Sequence, residues 1–191
     1  MRPQTTKQLI QSAFRTLLKA KPLDRITVRD IVEECDLTRN TFYYHYEDIY
    51  DLFDDYLDAR THDVICRMPP DSHWGDVLLQ ILHAIFETPQ TARHIFFSKK
   101  CDTMRLYLQR VIADTIDRSA DENGAGLRCA AGDRRLICAT CSHALYGLLE
   151  EWLTGPDAAN FDGNLRRVAQ LFEGSIRAAL ERSAEEREAS R

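Results

Sequence analysis

Glycine and proline are scarce in this 191-residue chain, at 8 and 6 residues. Long stretches without either, and the lack of any period-two alternation of apolar and polar residues, exclude a sheet-built fold and point to helices. No apolar run approaches the roughly 20 residues of a membrane span. The polar stretch Met1 to Thr6 leads into an amphipathic segment, so we expect no secretory signal, no membrane association and a cytoplasmic location. A Gly-rich phosphate loop, a His-Glu-x-x-His pair and a nucleophile elbow are all missing. We therefore expect no enzyme and no cofactor. There is no internal repeat. The six cysteines, Cys35, Cys66, Cys101, Cys129, Cys138 and Cys141, are scattered through apolar helical settings. That pattern suits free thiols, not a disulfide framework.

What is present is an ordinary soluble composition, 44% hydrophobic and 29% charged, with a net charge of −5. The sign looks wrong for a nucleic-acid binder, but its distribution matters more than its sum. From Met1 to Tyr46, 8 Lys and Arg stand against 5 Asp and Glu, a balance of +3. The remainder holds 17 basic and 25 acidic residues, a balance of −8. A mildly basic head on an acidic body suits a protein that touches phosphates at one end only.

Hydrophobic spacing predicts an all-α chain of about nine helices. The first runs from Gln4 to Ala20, with Leu9, Ile10, Ala13, Phe14, Leu17 and Leu18 on one face. Lys21-Pro22 ends it. Thr27 is placed to cap a second helix, with Asp30 as the acid of a capping box. Val28, Ile31, Val32 and Cys35 form its inner stripe. Thr38 caps a short third helix, Arg39 to His45, anchored by Leu37 and Phe42. This is the layout of a three-helix helix-turn-helix unit. Asp48 starts a long helix to about Arg67, and Asp71 or Ser72 caps the next. A short helix opens at Pro89, another runs from Asp102 to about Ser119, and Glu122 to Gly132 reads as a flexible loop. Two long helices, roughly Asp133 to Leu153 and Phe161 to Arg182, close the chain. We divide it into a DNA-binding domain of residues 1–47 and a regulatory and dimerisation domain of residues 48–191.

The stretch Ile26-Thr27-Val28-Arg29-Asp30-Ile31-Val32-Glu33-Glu34-Cys35-Asp36-Leu37-Thr38-Arg39-Asn40-Thr41-Phe42-Tyr43-Tyr44-His45-Tyr46 resembles the DNA-binding core of the TetR repressor family. Tyr43-Tyr44-His45 together with Asp48-Ile49-Tyr50-Asp51-Leu52 is similar to a branch that includes regulators of dihydroxyacetone kinase operons. The resemblance implies a phosphate-contacting hydroxyl at Thr27. It implies base-edge or phosphate contacts from Arg39, Asn40 and Thr41. Tyr43 and Tyr44 would contact phosphate, sugar or a thymine methyl, and His45 a phosphate. Many members carry a lysine where Ile49 stands, so that phosphate contact is missing here. The side chains suit these roles on chemical grounds too. An arginine fork matches guanine O6 and N7, an asparagine amide matches adenine N6 and N7, and tyrosine hydroxyls bond phosphates without formal charge.

The expected function is a transcriptional regulator, a repressor, that binds a palindromic operator in double-stranded DNA as a homodimer. The resemblance implies dimerisation through the last two helices, whose stripes are Leu145, Leu148, Leu149 and Trp152, and Leu165, Val168, Phe172 and Ile176. A small-molecule or protein effector would act on the C-terminal domain. Tyr56, Trp74, His83, Phe86, His94, Tyr107 and His143 supply mixed aromatic and polar character there, although such residues equally suit a core. Cys138-x-x-Cys141-x-His143 offers the alternative of a protein-interaction or thiol- or metal-sensing module. We read the two cysteines as small packing residues, because no second pair at ligand spacing completes a zinc site.

Overall fold

In the computed structural model, residues 5–69, 72–122, 129–155, 160–172 and 174–189 are described. They form ten α-helices: α1 (Thr6–Ala20), α2 (Val28–Glu34), α3 (Arg39–His45), α4 (Ile49–Arg67), α5 (Trp74–Phe86), α6 (Pro89–Phe96), α7 (Cys101–Glu122), α8 (Ala131–Thr154), α9 (Phe161–Leu171) and α10 (Ser175–Ala189). A single 3₁₀ turn, Leu23–Arg25, joins α1 to α2. There is no strand among the described residues. None of their helices is long and apolar enough to cross a membrane.

The helix starts follow from local chemistry. Thr5 and Thr27 each close a full capping box, with Gln8 and Asp30 as the reciprocal partners. Asp48 accepts from the N–H groups of Tyr50 and Asp51, and Thr88 caps α6 ahead of Pro89 at its first position. Each such cap satisfies donors that would otherwise be left over at a helix start, worth about 1 kcal/mol. The start of α5 differs from expectation. Its cap is His73, whose Nδ1 accepts the Gly75 N–H at 3.2 Å. Ser72 lies outside the cap, and Asp71 lies outside the described residues.

One core runs through both ends of the protein. In the head, Ile10, Phe14 and Leu18 of α1 meet Ile31, Phe42 and the first half of α4. The Phe14 ring sits edge-on to Tyr56 at 5.4 Å. Each of these fully buried side chains contributes about 1.5–3 kcal/mol. In the body, α7 and α8 form the most extensive helix pair, α5 lies across α4, α7 and α9, and α6 bridges back to α1. Where α5 meets α9 the approach is very close. A Cβ added to Gly75 would lie 2.5 Å from the Ala169 Cβ.

The chain's end is built in two pieces where the sequence predicts one helix. α9 stops at Leu171, and Gly174 takes a left-handed φ of +75° before α10 begins. That conformation, open to glycine without a Cβ penalty, is what ends helices. The expected loop between α7 and α8 is also shorter at its ends: Glu122 belongs to α7, and Ala131 and Gly132 belong to α8. Residues 123–128 within it lie outside the described residues.

Candidate nucleic-acid interface

The link between α2 and α3 is set by Asp36. Its φ of +53° is the left-handed conformation that short polar side chains tolerate better than most. The Leu37 N–H then returns to the Val32 carbonyl at 2.9 Å, closing the end of α2. Leu37 packs onto the core beside it. Thr38 caps α3, accepting from the Thr41 N–H at 3.2 Å, and the two threonine hydroxyls share a hydrogen bond of 2.9 Å.

Phe42 is completely buried and pins α3 to the head. Tyr46, at the end of α3, is also buried, and its hydroxyl donates to Asp55 of α4 at 2.7 Å. Lys7 and Gln11 of α1 converge on the same carboxylate at 2.7 and 2.6 Å. This junction holds α1, α3 and α4 in a fixed relation. Burial tends to raise the Asp55 pKa, but the bonds from Lys7, Tyr46 and Gln11 outweigh it, and the carboxyl sits below its ordinary value. Burial and the Asp55 carboxylate together push the Tyr46 phenol upward.

With its inner face fixed, α3 turns the other residues outward. Arg39, Asn40, Tyr43 and Tyr44 are exposed, and Thr41 and His45 are half-buried. Tyr44 is 85% exposed and packs only edge-on against the His45 ring, at 5.0 Å. An aromatic side chain so placed adds little to the core, and its natural use is against a partner. Thr27 is exposed at the start of α2, but its hydroxyl is bound within its own capping box.

The body holds a cavity of about 230 Å³ between α4, α5 and α7. Ile65, Val77 and Val111 give it an apolar wall, Thr61 and Thr115 add hydroxyls, and Asp114 and Arg118 stand at its rim. Of the residues the sequence nominates for an effector pocket, only Trp74 lines this space. Tyr56, Phe86, His94 and Tyr107 are buried in the packing, and His83 pairs with Asp162 at 2.7 Å. The cavity's own residues carry no motif; only the meeting of three helices makes them neighbours.

Cys138 is buried and Cys141 half-buried, whereas His143 is exposed and its Nδ1 bonds the Ala139 carbonyl. Burial, and then the nearby Asp117 carboxylate, push the Cys138 thiol up to about 11. Among the described residues, no group of three or more His, Cys, Asp or Glu is arranged to hold a metal ion.

A helix-turn-helix head with an exposed polar and aromatic third helix, joined to a helical body with a cavity, defines a one-component transcription regulator. Residues 10–56 match the sequence model of the bacterial regulatory proteins of the tetR family, and residues 72–172 match that of a transcriptional regulator C-terminal region. The chain belongs to the TetR family: it is a DNA-binding transcriptional regulator with a C-terminal effector domain. Among solved structures it is similar to the dihydroxyacetone kinase operon activator DhaS. The TM-score is 0.73 at 18% identity, over 91% of this chain and 97% of that one. It is also similar to NalD, the secondary repressor of the MexAB-OprM multidrug efflux pump in Pseudomonas aeruginosa. There the TM-score is 0.50 at 18% identity, over 86% of this chain and 94% of that one. No curated protein sequence matches the chain significantly.

Proposed function

We propose that the protein is a homodimeric repressor that reads a palindromic operator with α3 and leaves it when an effector occupies the body. The observation that carries this is the outer face of α3, where Arg39, Asn40, Tyr43 and Tyr44 stand exposed around a buried Phe42 anchor. Arg39 and Asn40 read base edges from the first turn of the helix. Thr41, Tyr43, Tyr44 and His45 hold sugar, phosphate or a thymine methyl and fix the register. Thr27 flanks this surface at the start of α2. The DNA-binding head is residues 1–47 and the regulatory body residues 48–191, and the protein works on cytoplasmic DNA.

Dimerisation is assigned to the last long helices. Leu145, Leu149 and Leu165 are taken up by the chain's own core, so the interface falls to what remains outside it. Leu171 and Phe172 are 59% and 57% exposed, and Trp152, Val168 and Ile176 are half-buried. Two such faces related by a two-fold axis bury each other as a helical bundle and place two copies of α3 in successive major grooves, about 34–36 Å apart. The effector site is the cavity beneath Trp74, because an effector must bind one arrangement of the helices better than another to shift DNA affinity.

The test is selection of bound sequences from a random duplex library by the full-length protein, at a stated salt concentration. Enrichment of a palindrome with half-sites one turn apart supports the reading. Enrichment of a single half-site, with a monomer by gel filtration at micromolar concentration, would overturn the dimer.

A further inference from the structure

Thr27 has two hydrogen-bond donors, and both end on one carboxylate. Its N–H reaches Asp30 Oδ2 at 2.8 Å, and its hydroxyl reaches the same oxygen at 2.6 Å. The Asp30 N–H returns to Thr27 Oγ1 at 3.2 Å, and Lys21 Nζ lies 2.8 Å from Oδ2. A hydroxyl whose single proton is committed in this way has none for a phosphate oxygen. A DNA backbone passing the start of α2 must therefore find its donor on another residue.

Arg25 is placed to be that donor. It ends the 3₁₀ turn, after which Ile26 and Thr27 run extended with φ/ψ of −83°/127° and −115°/158°. In extended chain, residues i and i+2 point to the same side. Ile26, between them, is only 5% exposed and turned into the core. Arg25 and Thr27 consequently both face outward, and both are exposed. Their Cα atoms are about 7 Å apart at the ordinary reach of extended chain.

The other cations of the head are already engaged. Lys7 pairs with Asp55 at 2.7 Å, Arg15 and Lys19 with Glu87 at 2.5 and 2.6 Å, Lys21 with Asp30 at 2.8 Å, and Arg29 with Glu33 at 2.6 Å. Among the described residues up to Tyr46, Arg25 and Arg39 are the cations without a carboxylate partner. We propose that Arg25 is a DNA-backbone contact, and that among the described residues of the head each protomer grips its operator with two free cations, Arg25 and Arg39, and otherwise with neutral donors. Binding then releases few counterions and depends only shallowly on salt.

This inference rests on the DNA-binding and dimer readings, and the experiment separates its failure from theirs. Operator affinity of the full-length protein is measured by fluorescence anisotropy on the selected duplex between 50 and 300 mM KCl. The variants are Arg25→Gln, Arg25→Lys, and Arg110→Gln as a control for net charge far from the head. Wild type should show a log–log slope of about −3.6, counting for the dimer two phosphates neutralised by Arg25 and the two charges that the Arg39 forks carry into the groove, and Arg25→Gln should make it shallower by about 1.8. Arg25→Gln should weaken all duplex sequences alike and leave the selected palindrome unchanged, while Arg25→Lys restores most of the slope. Because Arg25 has no carboxylate partner in the fold, both Arg25 variants should melt with wild type, whereas Arg110→Gln gives up an exposed pair with Asp58 worth no more than about 1 kcal/mol. Wild-type binding with an Arg25→Gln slope equal to that of wild type or Arg110→Gln would overturn the Arg25 contact. A wild-type slope steeper than about −6 would overturn the two-cation grip. Failure of wild type to bind any duplex would overturn the DNA-binding reading itself, and a clean monomer the dimer arithmetic.

Discussion

Glu87 Oε1 receives Arg15 Nε at 2.5 Å, while its other oxygen receives Lys19 at 2.6 Å, so one carboxylate of the body clamps α1 of the head. The same residue is conformationally strained. Its φ of 55° and ψ of −38°, with the Thr88 N–H bonded to the Phe86 carbonyl, make a tight turn that a side chain rarely occupies. Such strain costs about 1–3 kcal/mol, and partly exposed ion pairs return roughly 0.2–1 kcal/mol each. Glu87→Ala and Glu87→Gly both remove the clamp, but only glycine relieves the turn. Glu87→Gly should therefore unfold in urea at higher stability than Glu87→Ala, by about 1 kcal/mol. Equal stabilities would show that the turn carries no strain.

The face of α3 should separate DNA binding from stability. Tyr44→Ala and Thr41→Ala should weaken operator binding while thermal unfolding stays within about 0.5 kcal/mol of wild type, as for other surface changes. Arg39→Ala should relax base preference at one position of each half-site, at about 1–3 kcal/mol if its fork spans a guanine edge. Unchanged affinity in all three variants would move the reading surface off α3.

Asp30 makes the start of α2 sensitive to acid. The bond from Lys21, followed by that from Thr27, lowers its carboxyl to about 2. A depressed folded pKa contributes stability that is present above the unfolded value, near 3.9, and lost as pH falls through the folded one. The side chain is partly exposed, at 29%, so solvent screening holds the contribution to no more than about 1 kcal/mol. Wild type should be more stable than Asp30→Asn at pH 5 to 7, with the difference closing between pH 4 and about 2. A difference independent of pH would mean that the carboxylate charge is not what stabilises the cap.

The cysteines should differ sharply in reactivity. Cys66 is exposed, Cys129 and Cys138 are buried, and the Cys138 thiol is pushed up to about 11. Thiolate is the reactive form, so at pH 7.5 a soluble thiol reagent should label Cys66 first and reach Cys129 and Cys138 only on unfolding. Peroxide should leave operator affinity unchanged. Rapid labelling of Cys138 in the folded protein, with loss of DNA binding, would restore the thiol-sensor alternative.

Gly75 marks the closest approach of α5 and α9. Gly75→Ala puts a methyl 2.5 Å from the Ala169 Cβ, where two helices must part to admit it. Overpacking of this kind costs about 1–3 kcal/mol, so the variant should melt well below wild type. A melting temperature equal to wild type would show that the α5–α9 contact yields freely.

The head was legible because its signals are local. Thr27 with Asp30, Thr38, and the buried Phe42 each act within four residues of themselves, and periodicity alone separates the inner face of α3 from the outer one. The body was less legible because its decisive relations are distant. Gly75 meets Ala169 across the fold, and the cavity gathers Thr61, Val77 and Val111 from three helices. The break after Leu171 was missed although Gly174 stands there. A lone glycine in an amphipathic run is consistent with either a continuing helix or its end.

By itself the sequence determined the all-helical class, the caps at Thr27, Thr38 and Asp48, the helix-turn-helix and the residues of α3, since capping and amphipathic spacing are written in neighbouring side chains. Only the tertiary structure decided which charges are free. Lys7, Arg15 and Lys19 look available in the sequence, but the fold hands them to Asp55 and Glu87 from α4 and the end of α5. Arg25 and Arg39 are left for an outside partner because the fold brings no carboxylate into an ion pair with either of them. Ion pairing depends on a few ångströms of separation in space, and residues far apart in the chain acquire that separation only when helices pack.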